Sequence, residues 1–230
     1  MCIRDRNTSK ERHANFVTVY DKKVQETLRK KLLEILPEAV FVGEEDDVHA
    51  SIKKGFAFIV DPIDGTTNFI KDYHVSAISA GLTKDGEKYI GVVYNPYLDE
   101  MFTAERGKGA FLNGRPIHVS RNPLSEGIVL FGTAPYYEEL SKKSFQMAYA
   151  YFKKALDVRR SGSAAIDLCS IAAGRAELYF ELRLSPWDFA AGALIVEEAG
   201  GVVTTVEGGA VTLGQKCSVL ATNGRCGRLE

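Results

Sequence analysis

The sequence predicts a layered α/β protein, in which sheets alternate with helices, rather than a helical bundle or an all-β fold. Short apolar runs typical of strands alternate along the chain with amphipathic or alanine-rich segments typical of helices. The middle of the chain also contains strand-like runs joined by short turns. The chain has 230 residues, of which 45% are hydrophobic and 26% charged. It is therefore long enough to bury a substantial core, and its composition excludes a disordered protein.

The first predicted helix extends from Asp21 to Leu36. Its apolar residues follow the 3.6-residue period of one helix face: Val24, Leu28, Leu32 and Ile35. Asp21 either caps this helix or lies in its first turn, and Pro37 ends it. Residues 1–15, which are polar and aperiodic, are predicted to form a loop.

Several short apolar segments are predicted to form strands, because turn-forming or charged residues bound them. They are Phe56–Val60, Ser76–Leu82, Tyr89–Asn95, Met101–Ala104, Gly127–Gly132, Ala176–Glu181, Gly201–Val206 and Cys217–Ala221. Asp85-Gly86 is predicted to form the turn between the second and third of them. A glycine-rich stretch, Gly107–Gly114, follows the fourth.

Three further helices are predicted in the second half of the chain. Glu138–Leu156 has helical composition, and Ser163–Ala173 is small and apolar, which predicts a helix that packs closely on its neighbours. Asp188–Ala199 is rich in alanine, and Gly200-Gly201 ends it.

The charge and cysteine content exclude several classes of protein. Lys and Arg total 29 and Asp and Glu total 30, so no overall basic field is available to hold nucleic acid or an anionic membrane. No apolar run approaches the roughly 20 residues that span a bilayer, and the start of the chain lacks the apolar stretch of a signal peptide. Four scattered cysteines with no CxxC pair indicate reduced thiols. We therefore expect a cytoplasmic protein.

The segment from Asp61 to Phe69, Asp-Pro-Ile-Asp-Gly-Thr-Thr-Asn-Phe, carries the strongest functional signal. It directly follows the predicted strand Phe56–Val60, so we expect the strand to end at Asp61 and the chain to turn at Pro62. The hydroxyls, the amide and the backbone N–H groups that follow Gly65 are suited to a phosphate. Two carboxylates beside a phosphate site favour magnesium. An isolated Asp-Gly is usually only a surface turn, but the whole string is far rarer.

Two other places offer carboxylates. Glu44-Glu45 follows an apolar segment, Val40-Phe41-Val42, although an acidic run on the surface would give the same pattern. Asp188 follows Trp187 at the start of the alanine-rich helix, where Asp commonly serves as an N-cap. No histidine occurs in a metal-binding spacing, and the sequence has neither a GxSxG elbow nor a P-loop. The remaining chemistry is that of carboxylates and threonine.

Taken together, these motifs resemble the inositol monophosphatase family of magnesium-dependent sugar-phosphate phosphatases. The resemblance extends from about Asn15 to Asn223 and rests on Gly43-Glu44-Glu45, the string Asp61 to Phe69, and Trp187-Asp188-Phe189-Ala190-Ala191-Gly192 with the Glu197 to Gly201 segment after it. It implies a five-layer αβαβα fold in one domain, residues 1–230, with possible subdomains at about 1–125 and 126–230. It also implies hydrolysis of a phosphate monoester with two or three Mg²⁺ ions.

The resemblance assigns a role to each matching residue. Glu44, Asp61 and the carbonyl of Ile63 would bind the first metal, and Asp61, Asp64 and Asp188 the second. The residues with a catalytic role would be Thr66 and Asp21, which position and activate the attacking water, and Glu45, which holds a third metal through water. Gly65 and Thr66 would bind the phosphate. Glu181 and the segment Gly162-Ser163-Ala164 would contact the sugar.

The resemblance leaves the substrate open. Inositol monophosphate leads, and fructose 1,6-bisphosphate, histidinol phosphate and, less favoured, a nucleotide 3′-phosphate are alternatives. The nucleotide phosphatases of this superfamily tend to carry Lys where this chain has Thr67. An alternative of another class is a non-catalytic, metal-binding regulatory module.

The family further implies inhibition by lithium and the possibility of a homodimer. Members also have a helix before Val17-Thr18 and another after the last strand; we expect both to be missing here, as in a truncated reading frame.

Overall fold

The structure is a computed structural model that describes residues 8–9, 16–46, 50–135 and 137–227. Its strands are Thr8–Ser9 (β1), Phe16–Val17 (β2), Val40–Gly43 (β3), Phe56–Asp64 (β4), Ala77–Lys84 (β5), Glu87–Asn95 (β6), Glu100–Glu105 (β7), Ala110–Leu112 (β8), Arg115–Ile117 (β9), Ile128–Phe131 (β10), Asp157–Arg159 (β11), Leu178–Leu184 (β12), Val202–Thr204 (β13) and Cys217–Thr222 (β14). Its helices are Val19–Ile35 (α1), Thr66–Ile70 (α2), Glu138–Phe152 (α3), Ala164–Ala172 (α4) and Pro186–Glu198 (α5), with a 3-10 turn at Leu124–Glu126.

Two large sheets organise the molecule. The first has seven strands in the order β3-β4-β5-β6-β7-β8-β9, parallel between β3 and β4 and antiparallel elsewhere. The second has five strands in the order β11-β10-β12-β14-β13, parallel around β10 and antiparallel around β14. A small third sheet pairs β1 with β2. No helix in the described part of the chain is long and apolar enough to cross a membrane.

Helices cover both sheets and fill the space between them. Leu28 and Leu32 of α1 pack on Phe58 at the outer face of the seven-stranded sheet. Helices α4 and α5 form the layer between the two sheets, and α3 packs through Ala148 and Tyr151 on the outer face of the five-stranded sheet. The layers therefore follow the order α, β, α, β, α, which confirms the predicted fold.

Helix α5 is buried on nearly all sides because it lies between the sheets. Residues Phe189 to Val196 are all buried, as a helix that is apolar all round requires. Small residues allow α5 to approach the seven-stranded sheet closely. A Cβ on Gly91 of β6 would lie only 2.6 Å from the carbonyl oxygen of Ala191 in α5. The alanine-rich composition of α5 thus serves packing against the sheet.

The predicted helix near the N-terminus is confirmed, but its buried face differs from the prediction. Asp21 lies in the first turn, behind the N-cap Thr18. Ile35 is 77% exposed, whereas the buried side chains of this helix are polar: Asp21 and Gln25. The hydrophobic period located the helix correctly but could not show that its first turns face the centre described below.

The prediction that a strand ends at Asp61 was wrong. β4 continues to Asp64 through an irregularity in which Asp61 pairs with Ser79 and Asp64 pairs with Ala77, so one extra residue is accommodated on β4. The neighbouring strand β3 already ends opposite Val60. Pro62 is tolerated here because its missing N–H falls in the bulge and beyond the end of β3.

The other predicted strands and helices are present, with ends shifted by no more than four residues. Strands β2, β3, β8, β9 and β11 were missed. The turn between β8 and β9, Asn113-Gly114, has positive φ at both residues, as does the correctly predicted turn Asp85-Gly86. The same dipeptide signal could therefore have located that hairpin within the glycine-rich stretch. Of the predicted N-terminal loop, Thr8–Ser9 is a strand, and the rest lies outside the described residues.

We expect Leu168→Ala to lower the free energy of unfolding by about 2–5 kcal/mol. Leu168 lies in α4, has 0% exposure and belongs to the core between the sheets, so the truncation leaves a cavity there. Leu98→Ala removes the same atoms from a side chain that is 65% exposed and should change stability by less than about 1 kcal/mol. Urea unfolding of both variants measures the difference, and equal losses would contradict this description of the core.

Candidate active site

Acidic residues from three separate segments meet at one end of the seven-stranded sheet. Asp61 and Asp64 lie at the bulged end of β4, Glu44 follows β3, and Asp188 lies in the first turn of α5. The side chains of Glu44 and Asp61 lie within hydrogen-bond distance, so that Asp61 in its protonated form donates to the carboxylate of Glu44. Asp64 and Asp188 are close enough for their charges to raise the pKa of Asp61. The structure therefore brings together the four carboxylates that were predicted to bind metal.

The ionisation of these four carboxyl groups is unfavourable, because they are desolvated and close together. Desolvation raises the pKa of Glu44 to about 7, with a further contribution from the charge of Glu45. Desolvation also raises the pKa of Asp64 to about 6. The pKa values of Asp61 and Asp188 lie well above the usual range for Asp, through desolvation first and the nearby Glu44 second. A group of acids with raised pKa values is typical of a functional site.

Neutral donors hold two of these carboxylates in place. One oxygen of Asp64, Oδ2, accepts hydrogen bonds from the hydroxyl of Ser163 and, at 2.8 Å, from the backbone N–H of Ala165. Asp188 accepts from the backbone N–H of Ser185 at 2.7 Å, in a capping box at the start of α5. The N-cap interpretation of Asp188 and the site interpretation are thus compatible, because capping uses only Oδ2.

Hydrogen bonds hold the turn that contains Glu44 and Glu45 against α1. Gln25 accepts a hydrogen bond from the backbone N–H of Glu45 at 3.0 Å and donates one to Asp46 at 3.1 Å. Asp46 also forms an ion pair with Arg29. The sequence alone assigned no role to Gln25, Arg29 or Asp46. The signal for Gln25 is its place four residues after Asp21, on the same helix face.

Thr66 and Asp21 form the second part of the centre. The hydroxyl of Thr66 lies 3.5 Å from Oδ1 of Asp21 and 3.1 Å from the carbonyl oxygen of Ile63. The other oxygen of Asp21 accepts from both the N–H and the hydroxyl of Thr18, at 2.7 and 2.5 Å. Desolvation raises the pKa of Asp21. The predicted pairing of these two residues is therefore present as a long hydrogen bond.

The two predicted binding loops touch each other. Gly65 has φ +87°, and a Cβ there would lie 3.0 Å from the carbonyl oxygen of Val75 and 3.3 Å from that of Gly162. Ser163 and Ala164 are buried at the N-terminal end of α4. The amide of Asn68, which the sequence suggested for a phosphate, instead donates to the carbonyl oxygens of Val75 and Ser161.

Glu181 lies in β12 of the other sheet, where its carboxylate is buried and fixed at both oxygens. Oε1 accepts from the backbone N–H of Ala134 and Oε2 from the hydroxyl of Tyr179, both at 2.9 Å. Gly132 leaves the space for this carboxylate, since a Cβ on Gly132 would overlap it. The charge of Asp64 helps to raise the pKa of Glu181 after the larger effect of desolvation, so the two residues are neighbours across the sheets.

The donor set fits divalent cations. Within the described residues, none of Glu44, Asp61, Asp64 and Asp188 forms an ion pair with Lys, Arg or His. In the arrangement that the structure shows, no three acidic, histidine or cysteine side chains of the described residues surround a common point in metal-site geometry. Buried carboxylates require a counter-charge or protons, and hard oxygen ligands select Mg²⁺ or Ca²⁺.

The chain is similar to a known family and to several known proteins. A family model described as the inositol monophosphatase family matches residues 3–228. The Nus factor SuhB of Vibrio cholerae is 39% identical over 88% of this chain and 76% of its own length. An inositol-1-monophosphatase of Rhizobium meliloti is 40% identical over 85% of this chain and 74% of its own length.

Solved structures of inositol monophosphatases are also similar to this chain. Inositol monophosphatase-II from Staphylococcus aureus, one of whose structures has inositol monophosphate bound, superposes with a TM-score of 0.81 at 31% identity, covering 90% of this chain and 80% of that one. The family model matches nearly the whole chain, and both the sequence relatives and the solved structures cover most of it. The carboxylate centre described above lies in the matched part. This chain belongs to the inositol monophosphatase family.

Proposed function

We propose that this protein hydrolyses phosphate monoesters of inositol or a similar sugar with the help of two or three Mg²⁺ ions. The observation that carries the proposal is the meeting of Glu44, Asp61, Asp64 and Asp188 beside the Thr66–Asp21 pair, with no ion pair to a basic side chain in the part of the chain that the structure describes. Membership of the family, and a relative and a structural neighbour named inositol monophosphatases, support a phosphatase.

Each ligand would come from the group already described. Glu44, Asp61 and the carbonyl oxygen of Ile63 would hold one ion, and Asp61, Asp64 and Asp188 a second. Glu45 would hold a third ion through water. When bound, Mg²⁺ neutralises the carboxylates, binds phosphate oxygens and lowers the pKa of coordinated water, so that a dianionic substrate is attracted to an acidic centre.

Thr66 and Asp21 would orient the attacking water. Asp21 is fixed by Thr18 on its Oδ2, so its Oδ1 is directed to the hydroxyl of Thr66. The Thr66 hydroxyl has one hydrogen, and its shorter contact is to the carbonyl oxygen of Ile63. With that carbonyl bound to a cation, the hydrogen would go to Asp21, and the lone pairs of the hydroxyl would accept a hydrogen bond from water. Apo distances of this kind commonly shorten when substrate binds. Gly65 and Thr66 would bind the phosphate through their backbone N–H groups.

Glu181 and the loop before α4 would recognise the sugar. Ring hydroxyls donate hydrogen bonds, and Glu181 is a prepositioned acceptor fixed by Ala134 and Tyr179. The segment Gly162-Ser163-Ala164 lies beside Gly65, so it borders the proposed phosphate position. The substrate identity is tested by measuring phosphate release from inositol monophosphate, fructose 1,6-bisphosphate, histidinol phosphate and a nucleoside 3′-phosphate.

An alternative is that the fold acts as a regulatory module without catalysis. The relative named Nus factor SuhB favours it. The alternative predicts that the protein binds Mg²⁺ but releases no phosphate from any substrate of the panel, whereas the proposal predicts release that depends on Mg²⁺.

We also propose that the protein acts in the cytoplasm and, from family membership, that lithium inhibits it. Cys169, Cys217 and Cys226 are free thiols, as expected in a reducing compartment. Cys2 lies outside the described residues. The single-domain prediction and the homodimer remain untested predictions.

We expect Asp64→Asn to reduce kcat/KM by at least about 100-fold, because the amide cannot supply the negative charge that holds a cation. The amide oxygen can still accept from Ser163 and Ala165, so the fold should persist. Asp99→Asn makes the same change in an exposed residue between β6 and β7 and should retain activity. Phosphate release and circular dichroism of both variants test this; a nearly fully active Asp64→Asn enzyme would contradict the proposal.

We expect Mg²⁺ at about 100 times its Kd to raise Tm by about 5 °C or more, since binding to the folded state alone stabilises it by about 2.7 kcal/mol. The cation relieves repulsion among the buried carboxylates. Asp188→Asn, which removes one ligand, should reduce the shift. Calorimetry with KCl at equal ionic strength is the control, and an equal shift with KCl would show screening rather than binding.

A further inference from the structure

Asn68 joins segments that are far apart in sequence. Its side-chain nitrogen donates to the carbonyl oxygen of Val75 at 2.8 Å and to that of Ser161, 93 positions away, at 2.9 Å. An amide NH₂ has two hydrogens, so both are used. Asn68 is therefore fully engaged as a donor between α2, the connection to β5 and the loop before α4.

Asn68 lies so close to the loop before α4 that only glycine fits at position 162 without strain. A Cβ on Gly162 would lie 3.1 Å from the side-chain nitrogen of Asn68, and Gly162 has φ +87°. Any other L-residue there would be strained and would push on the amide. The backbone of the loop is thus pressed directly against the amide of Asn68.

The segment between α2 and β5 is held by the same residue. The backbone carbonyl of Asn68 accepts from the N–H of Tyr73 at 2.9 Å, in addition to the side-chain bond to Val75. Within the segment from Asn68 to Val75, Asp72 and His74 both have positive φ, at 54° and 60°. Such conformations in non-glycine residues cost free energy and persist only where surrounding contacts enforce them.

The loop that accepts a hydrogen bond from Asn68 also contains a residue that hydrogen bonds to Asp64. Two residues after Ser161, the hydroxyl of Ser163 donates to Asp64, and the N–H of Ala165 donates to the same oxygen. The hydroxyl of Ser161 accepts from the N–H of Ser163 at 3.0 Å, which makes the loop a compact unit. A movement at Ser161 would therefore move the groups that flank Asp64.

We propose that Asn68 is a positioning residue that locks the loop Arg160–Ser163 against the segment carrying Asp64 and Thr66, and so sets the sugar-side wall of the site. This inference rests on the proposed function for its substrate. Both amide hydrogens of Asn68 are used by backbone carbonyls, so its effect on the site passes through the carbonyl of Ser161 to Gly162 and Ser163. Loss of the amide leaves two carbonyl oxygens without their donor and frees the loop.

Asn68→Leu keeps the branched shape of the side chain but donates no hydrogen bond. We expect kcat/KM for myo-inositol 1-phosphate, divided by kcat/KM for p-nitrophenyl phosphate, to fall by about tenfold, mainly through a higher KM for the inositol substrate. p-Nitrophenyl phosphate has no ring hydroxyls for the loop to meet. A smaller folded fraction would lower both values equally and leave the ratio unchanged.

Asn223→Leu is the matched control. Asn223 also donates from one amide to two remote partners, the hydroxyl of Ser120 and the carbonyl of Asn122, at 3.1 and 2.9 Å. Its side-chain hydrogen bonds lie just after β14 and in the connection before β10, its backbone N–H donates to Glu177, and none of these bonds reaches the site loops. This variant should lose stability but retain the substrate ratio.

Hydrogen exchange provides a readout that does not need activity. Backbone amides of residues 159–163 should exchange at least about tenfold faster in Asn68→Leu and at the wild-type rate in Asn223→Leu. An unchanged substrate ratio, unchanged exchange in that segment, or equal effects in both variants would overturn the proposal. A wild-type protein that cleaves neither substrate refutes the proposed function instead, and the exchange comparison then decides the role of Asn68 alone.

Discussion

The central constraint on this molecule is that four desolvated carboxylates lie close together, and no positive side chain among the described residues forms an ion pair with them. Burial raises the pKa of Glu44 to about 7, with a further contribution from the charges of Glu45 and Asp64, and burial raises the pKa of Asp64 to about 6. The chain tolerates this because neutral donors fix the groups: Ser163 and Ala165 hold Asp64, and Ser185 holds Asp188. Neutral donors orient an oxygen without cancelling its charge, so the negative potential stays available to a cation.

The layered fold supplies those donors from distant parts of the chain. Asp64 ends a strand of the seven-stranded sheet, and its partners begin α4, about 100 residues later. Asp188 begins α5, which lies between the two sheets and packs closely on Gly91. The positions of the carboxylates are therefore coupled to the packing of the central helices, and a rigid core between the sheets is a requirement of the site.

Sequence patterns predicted elements well where a local rule governs them. The hydrophobic period located α1, and Asp85-Gly86 located a hairpin, because helix period and turn geometry are properties of a few neighbouring residues. They failed at Pro62, where a strand continues through a bulge that depends on the end of a neighbouring strand. They also failed at Gln25, whose role appears only when α1 packs beside the turn of Glu45.

The sequence by itself determined which side chains are available for the proposed chemistry: the Asp61 to Phe69 string, the Glu44-Glu45 pair and Asp188 have a recognisable spacing, and they matched one family. Only the tertiary structure decided how these groups are held, because hydrogen bonds between residues 93 to 101 positions apart leave no periodic trace in the sequence. Asn68 shows the difference. Its amide is polar and lies beside a phosphate motif in the sequence, yet the fold directs both hydrogens to backbone carbonyls.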